Sequence, residues 1–273
     1  MGKERLDVLL VKNNLIETRE KAKRMIMAGL VFTGTERLDK PGMKIDEATS
    51  LTVKGNIPYV SRGGFKLEKA LSAFSLCVKG KTMVDIGAST GGFSDCALQN
   101  GASLIYAIDV GYNQLDWKLR SDDRVIVKEK TNFRYVTAEF FTKGLPNFAT
   151  IDVSFISLRL ILPVLKQVLQ PDSEVVALIK PQFEAERNQV GKKGIIRDHH
   201  VHESVLHTIT SFAKEEGFQV NNLTHSPITG GEGNIEFLVY LGWEQERKHT
   251  PFIDKKFIKQ TVNEAHKSLT KKT

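Results

Sequence analysis

Val84-Asp85-Ile86-Gly87-Ala88-Ser89-Thr90-Gly91-Gly92-Phe93 is the stretch from which the rest of the chain can be ordered. An apolar run ends at Ile86, glycines let the backbone turn tightly against a ligand, and a helix begins at about Gly91. The spacing is not the G-x-G-x-x-G dinucleotide fingerprint, and no Gly-Lys-Ser/Thr follows to make a phosphate loop. A glycine turn without a ligand gives the same pattern, so the surroundings decide. Outward from this stretch, Thr82–Ile86, Leu104–Ile108, Val125–Lys128, Ala149–Val153 and Val175–Ile179 are short apolar runs, with helical candidates between most of them. The alternation predicts an α/β fold built on a mainly parallel sheet with helices on both faces. Ile235–Leu241 adds a later strand.

Asp109 closes the strand after the glycine loop, about 20 residues on, where a carboxylate can accept hydrogen bonds from both hydroxyls of a ribose. Four more polar residues stand at or near element ends in apolar settings. Asp152 interrupts Ala149–Val153, Lys180 follows Val175–Ile179, and Glu236 opens Ile235–Leu241. Lys66 lies in Ser61-Arg62-Gly63-Gly64-Phe65-Lys66-Leu67, the stretch joining the front of the chain to its first apolar run. The carboxyl ends of parallel strands define the ligand crevice of such a sheet, so these positions are candidates for chemistry.

In the first 55 residues, Leu6, Leu9 and Leu10 make a short apolar helical face. Thr18 reads as the N-cap of a helix over Arg19–Ala28 with Ala22, Met25 and Ile26 inside, and Gly29 reads as its stop. Its opposite face carries Arg19, Lys21, Lys23 and Arg24. Strands are expected at Leu30–Phe32 and Leu51–Val53, with turns at Thr33-Gly34 and Pro41-Gly42. A linker over 56–60 follows.

The chain of 273 residues has a net charge of +7, unevenly spread. Residues 1–60, 61–82 and 245–273 carry +3, +4 and +5, and the middle, 83–244, carries −5. A basic front and tail around an acidic middle suggest that one part grips a polyanion while another does something else. Two cysteines, Cys77 and Cys96, cannot build a disulfide framework or a zinc knuckle, which points to a reducing, cytoplasmic setting. No signal peptide is visible, and the most apolar stretch, Leu158–Leu169, is broken by Arg159, Pro163 and Lys166, so no membrane span is expected. His199, His200 and His202 sit at a helix start without a cysteine or well-spaced acid, so no metal is expected there. Glu184–Arg197 reads as a mobile basic loop or as a plain surface loop. The tail 246–273 is expected to be a basic helix.

Arg5-Leu6-Asp7…Leu15…Thr18-Arg19-Glu20-Lys21-Ala22…Ile26…Gly29-Leu30-Val31…Gly34…Lys40-Pro41-Gly42 resembles the S-four domain, an RNA-binding module. The D-x-G…G-G loop resembles the first motif of Rossmann-like methyltransferases. The Lys-Asp-Lys-Glu set resembles that of FtsJ-like ribose methyltransferases. Together with Val60–Leu67, Asp152–Leu158, Lys180–Glu184 and Gly233–Phe237, they look like the TlyA family. That resemblance implies a small α+β RNA-binding domain over 1–55 and a Rossmann-like methyltransferase domain over 61–245. It implies S-adenosylmethionine held by Asp85, Gly87, Ala88, Ser89, Thr90, Gly91, Gly92, Phe93, Asp109 and Asn132. It implies catalysis by Lys66, Asp152, Lys180 and Glu236 on a cytidine 2′-hydroxyl of ribosomal RNA, either free or in ribosomal subunits. RNA would be gripped by Arg5, Arg19, Lys21, Lys23, Arg24 and Arg62, with no obligate protein partner. Lys180 would be the general base, Asp152 would hold it, and Glu236 and Lys66 would orient the hydroxyl and its phosphate. The competing readings are a non-catalytic RNA-binding or assembly protein, and a membrane-active hemolysin acting through the basic tail.

Overall fold

A computed structural model describes residues 2–27, 29–55, 58–191, 193–230, 233–244 and 253–269. The chain divides into two compact units, Met1–Arg62 and Gly63–Thr273. Part of the expected linker (residues 56 and 57), Ala28, Lys192 and residues 246–252 and 270–273 of the expected tail lie outside the described residues.

The first unit is built from β1 (Lys3–Arg5), α1 (Leu6–Lys12), α2 (Arg19–Met27), β2 (Val31–Thr33), β3 (Glu36–Leu38), β4 (Lys44–Asp46) and β5 (Thr52–Val53). β1 pairs antiparallel with β4, and β2 is the middle of a small antiparallel sheet between β3 and β5. Leu6, Leu9, Leu10, Ala22, Met25, Ile26 and Val31 form its core, as the helical spacing requires. The Thr18 hydroxyl accepts from the Lys21 N–H at 3.2 Å and starts α2. Gly29, at φ +71°, ends it: the Gly29 and Leu30 N–H groups return to the carbonyls of Ile26 and Met25, the double closure of a Schellman motif. The first turn falls at Gly34-Thr35, one residue later than expected, because β2 and β3 are three residues each and meet there.

The second unit opens with α3 (Gly63–Phe74) and continues through β6 (Thr82–Ile86), α4 (Gly92–Gln99), β7 (Leu104–Ile108), α5 (Trp117–Arg120), β8 (Val125–Lys128), β9 (Phe148–Ile151), α6 (Leu162–Leu165), β10 (Ser173–Ile179), α7 (Pro181–Glu184), α8 (His199–Glu215), β11 (Gln219–His225), β12 (Phe237–Trp243) and α9 (Lys255–Leu269). Its seven strands run in the order β11-β12-β10-β9-β6-β7-β8. β12 is antiparallel to both neighbours and the other pairings are parallel. The chain steps from β6 outward to β7 and β8, then returns to β9 on the other side of β6. That reversal opens a crevice beyond the carboxyl ends of β6 and β9.

Three placements differ from expectation. Lys66 sits in the first turn of α3, inside the second unit, rather than in a joining stretch. Asp152 stands one residue beyond β9, and Glu236 one residue before β12. β11 was not expected, since Asn221 and Asn222 break its apolar run. α9 buries Ile258, Thr261, Val262 and Ala265, and of these Ile258, Val262 and Ala265 join the core of the sheet. Among the described residues no helix is long and apolar enough to cross a membrane.

Candidate active site

β6 delivers the glycine loop to the crevice. Gly87 has φ +84°, and a Cβ there would stand 2.6 Å from the carbonyl oxygen of Asp152. Only glycine lets this loop press against the end of β9. Gly91, at φ +93°, lies against the side chains of Leu115 and Leu119, and its left-handed backbone favours glycine. Ala88, Gly91, Gly92 and Phe93 are buried, and Ser89 and Thr90 are exposed at the loop's crest. Asp85 is not at that crest. It is buried beneath the loop, where Oδ2 accepts from the Ser94 hydroxyl and N–H and Oδ1 from the Thr150 hydroxyl. Burial pushes its carboxyl up to about 6, against those hydrogen bonds. There it anchors the start of α4 to the sheet.

Asp109 is half-buried opposite the crest. One oxygen accepts from the Ser89 N–H at 2.8 Å and the other from the Gly111 N–H at 2.7 Å. Each oxygen keeps a lone pair for a ribose hydroxyl. Asn132 caps a short 3-10 turn, Phe133–Tyr135, by accepting from the Arg134 N–H. Sequence reasoning missed Glu129, whose Oε1 accepts from the N–H groups of Gln114 and Leu115 and from Arg120, fixing the wall after Asp109. Burial would raise that carboxyl, but the backbone bonds and Arg120 hold it down at about 2.

The four polar residues from four segments meet. Lys66 Nζ lies 2.9 Å from Glu236 Oε2 and 3.2 Å from Asp152 Oδ2. Lys180 Nζ lies 2.5 Å from Asp152 Oδ1 and donates to Ser154 Oγ at 2.9 Å. The order is therefore Glu236, Lys66, Asp152, Lys180. Lys66, Lys180 and Glu236 are buried, and Asp152 keeps an exposed edge. Burial alone would lower the Lys66 ammonium, but Asp152 and Glu236 outweigh it and leave it above the ordinary value. Burial would raise Asp152, and Lys66 and Lys180 reverse that and hold it below the usual range. Gly230 leaves room for Glu236, since a Cβ there would stand 2.2 Å from Oε1.

Two supports escaped sequence reasoning. Asn234, buried, accepts from Ile196 N–H and donates to the Gly194 carbonyl, tying the end of the Glu184–Arg197 loop to the approach to β12. Glu184 accepts from the Ser157 hydroxyl and the Leu158 N–H, fixing the loop after Asp152. On that loop Phe155 is 90% exposed at φ +64°, its ring 4.9 Å from that of Phe183.

The cations expected to grip RNA are partly engaged within the first unit. Arg5 and Arg19 both donate to Asp7, which is fully buried and held at about 2, first by its bond to Arg5. Lys21 pairs with Glu17 and Lys23 with Glu20. Arg24 donates to the Val60 carbonyl and Arg62 to the Met27 carbonyl.

A family model described as FtsJ-like methyltransferase matches residues 59–243, and one described as S4 domain matches residues 4–49. The chain is 63% identical over 271 residues to YqxC of Bacillus subtilis (strain 168), which carries a provisional rRNA methyltransferase name; the match spans 99% of this chain and 96% of that one. It is 38% identical over 245 residues to the 16S/23S rRNA (cytidine-2'-O)-methyltransferase TlyA of Mycobacterium tuberculosis, across 89% of this chain and 91% of that one. A solved structure from Streptococcus thermophilus, under a provisional hemolysin name, superimposes with a TM-score of 0.77 at 56% identity, covering 99% of this chain and 98% of that one. The two matched models in this order and the length over which the relatives align make the chain a member of the TlyA family of FtsJ-like methyltransferases.

Proposed function

We propose that the protein transfers a methyl group from S-adenosylmethionine to a cytidine 2′-hydroxyl of ribosomal RNA. The observation that carries the proposal is the continuous Glu236–Lys66–Asp152–Lys180 cluster beside a glycine loop that touches Asp152 through Gly87. The residues fit the cofactor: the glycine crest leaves Ser89 and Thr90 open for its amino-acid end, and Asp109 offers carboxylate lone pairs to its ribose.

When bound, S-adenosylmethionine supplies a methyl on a positively charged sulfur. Lys180 faces one carboxylate and one hydroxyl, whereas Lys66 faces two carboxylates. Lys180 Nζ is therefore the group that takes the proton of the attacking 2′-hydroxyl. The new O–CH3 bond forms as the C–S bond breaks, so charge is conserved. Lys66 stays cationic, held by its two acids, and positions the ribose and its phosphate. Asp152 fixes both lysines and presents negative charge to the reacting methyl. Phe155 offers an open ring on which the target base can stack. In-line alignment supplies most of the acceleration, and the general base adds ~10²–10⁴-fold.

The test is Lys180→Ala. Methyl transfer to ribosomal RNA should fall by at least ~10²-fold while calorimetric S-adenosylmethionine affinity stays within a factor of a few. Mass mapping of ribosomal RNA from a strain lacking the gene, complemented with wild type or with this variant, locates the nucleotide. Full activity in the variant removes Lys180 from the mechanism.

A further inference from the structure

α9 presents two unlike faces. Its apolar face is committed to the core, and its outer face carries Lys255, Lys256, Lys259 and Lys267, all exposed. Among the described residues none of these four makes an ion pair. That distinguishes them from Arg19, Lys21 and Lys23 of α2, each of which has a carboxylate partner. Lys256, Lys259, Gln260, Asn263, Glu264 and Lys267 line a shallow depression of about 330 Å³. From Lys255 to Lys267 the stripe is ~18 Å long at 1.5 Å per residue. The acids beside it are Asp254, which accepts from the Phe257 N–H, Glu264, which is engaged by Gln260, and Glu203 of α8 near Lys255.

The direction of α9 matters as much as its charge. Lys255 and Ile258 line a groove with His207 and Thr208, whereas His266 meets His199 and His202. α9 therefore runs antiparallel to α8 and ends beside the start of α8. Ser268 Oγ lies 3.5 Å from His225 Nε2, and His225 pairs with Phe237, the residue after Glu236. The lysine stripe thus leads to the rim of the crevice at the Glu236 end.

We propose that the outer face of α9 is a phosphate track that holds the substrate RNA strand next to the target nucleotide, separate from the S4 domain. The inference rests on the RNA-methyltransferase reading above. Unpaired lysines release counterions from RNA without first breaking an internal salt bridge, so they contribute to affinity in full. A membrane surface is the weaker partner, because the apolar face that would insert is packed in the core.

The test compares full-length wild type with K256Q/K259Q/K267Q and with K256R/K259R/K267R. Binding to deproteinised ribosomal RNA is measured from 50 to 300 mM KCl, alongside S-adenosylmethionine calorimetry, melting temperature and steady-state methylation. The glutamine variant should bind RNA at least ~10-fold more weakly at 100 mM KCl, with the slope of log K against log salt reduced by ~2–3. KM for RNA should rise, while kcat, cofactor affinity and melting stay at wild-type values, and the arginine variant should behave as wild type. Unchanged RNA affinity and slope in the glutamine variant overturn the track. So does loss of binding to anionic phospholipid vesicles with RNA binding intact. If wild type transfers no methyl group but the glutamine variant still loses RNA affinity, the methyltransferase reading fails and the track stands. If wild type methylates and the glutamine variant matches it throughout, the track alone fails.

Discussion

Single residues set what the crevice can do. Gly87 is the tightest of them, with a left-handed backbone and an Asp152 carbonyl where a Cβ would be. Gly87→Ala should destabilise the chain by ~1–3 kcal/mol and weaken S-adenosylmethionine at least tenfold, as read by melting and calorimetry. Glu236→Gln leaves Lys66 with one carboxylate; methylation should fall with little change in cofactor affinity, because Glu236 lies at the far end of the cluster from the glycine loop. That the charged groups at these strand ends would be paired was legible in the sequence, because a lysine or acid at an apolar strand end is costly to bury alone. Asp85 shows where that logic stops. From sequence it belongs to the same glycine loop, and only its hydrogen bonds to Ser94 and Thr150 place it underneath.

Elements were legible in proportion to their apolar contrast. β6, β7 and β8 lie where the apolar runs predicted them. β11 was hidden because Asn221 and Asn222 interrupt its pattern at a bulge in its pairing with β12. α3 was not expected, and Gly63-Gly64, poor helix formers, lie in its first turn. The short strands β1, β3 and β4 are mostly polar and exist through their partners. α9 was expected to be a basic tail helix, and its burial against α8 was not visible in its composition. That packing contains a testable electrostatic feature. His202 is fully buried with Nδ1 2.9 Å from His266 Nε2, and the His266 ring stacks on His199 at 3.6 Å. Burial first, then His266 and His199, push His202 down to about 4, against the weak opposing pull of Asp198. With the folded value below the ordinary 6.5, the unfolded chain binds the proton more readily between those values. Its contribution is complete above about pH 6.5 and is lost as pH falls toward 4. His202→Leu should remove up to ~3 kcal/mol of the loss in stability between pH 7 and pH 4.5, measured as the difference between the two melting profiles.

Among the described residues each compact unit has a hydrophobic core of its own. Residues 63–273 alone should therefore still bind S-adenosylmethionine by calorimetry, while their activity at limiting ribosomal RNA should fall well below that of the full chain. The order of modules, a basic front before an α/β unit, was legible from charge distribution and the change in periodicity after residue 60. The internal engagement of Arg5 and Arg19 by Asp7 was not, because it depends on a buried acid two residues from one partner and twelve from the other. One close approach has a consequence for how the enzyme is filled. The Gly87 backbone rests on the Asp152 carbonyl, so a cofactor bound on the glycine loop and an acceptor bound at Asp152 would share one peptide contact. Their affinities are then thermodynamically linked, and whatever factor RNA imposes on cofactor dissociation, the cofactor must return to RNA.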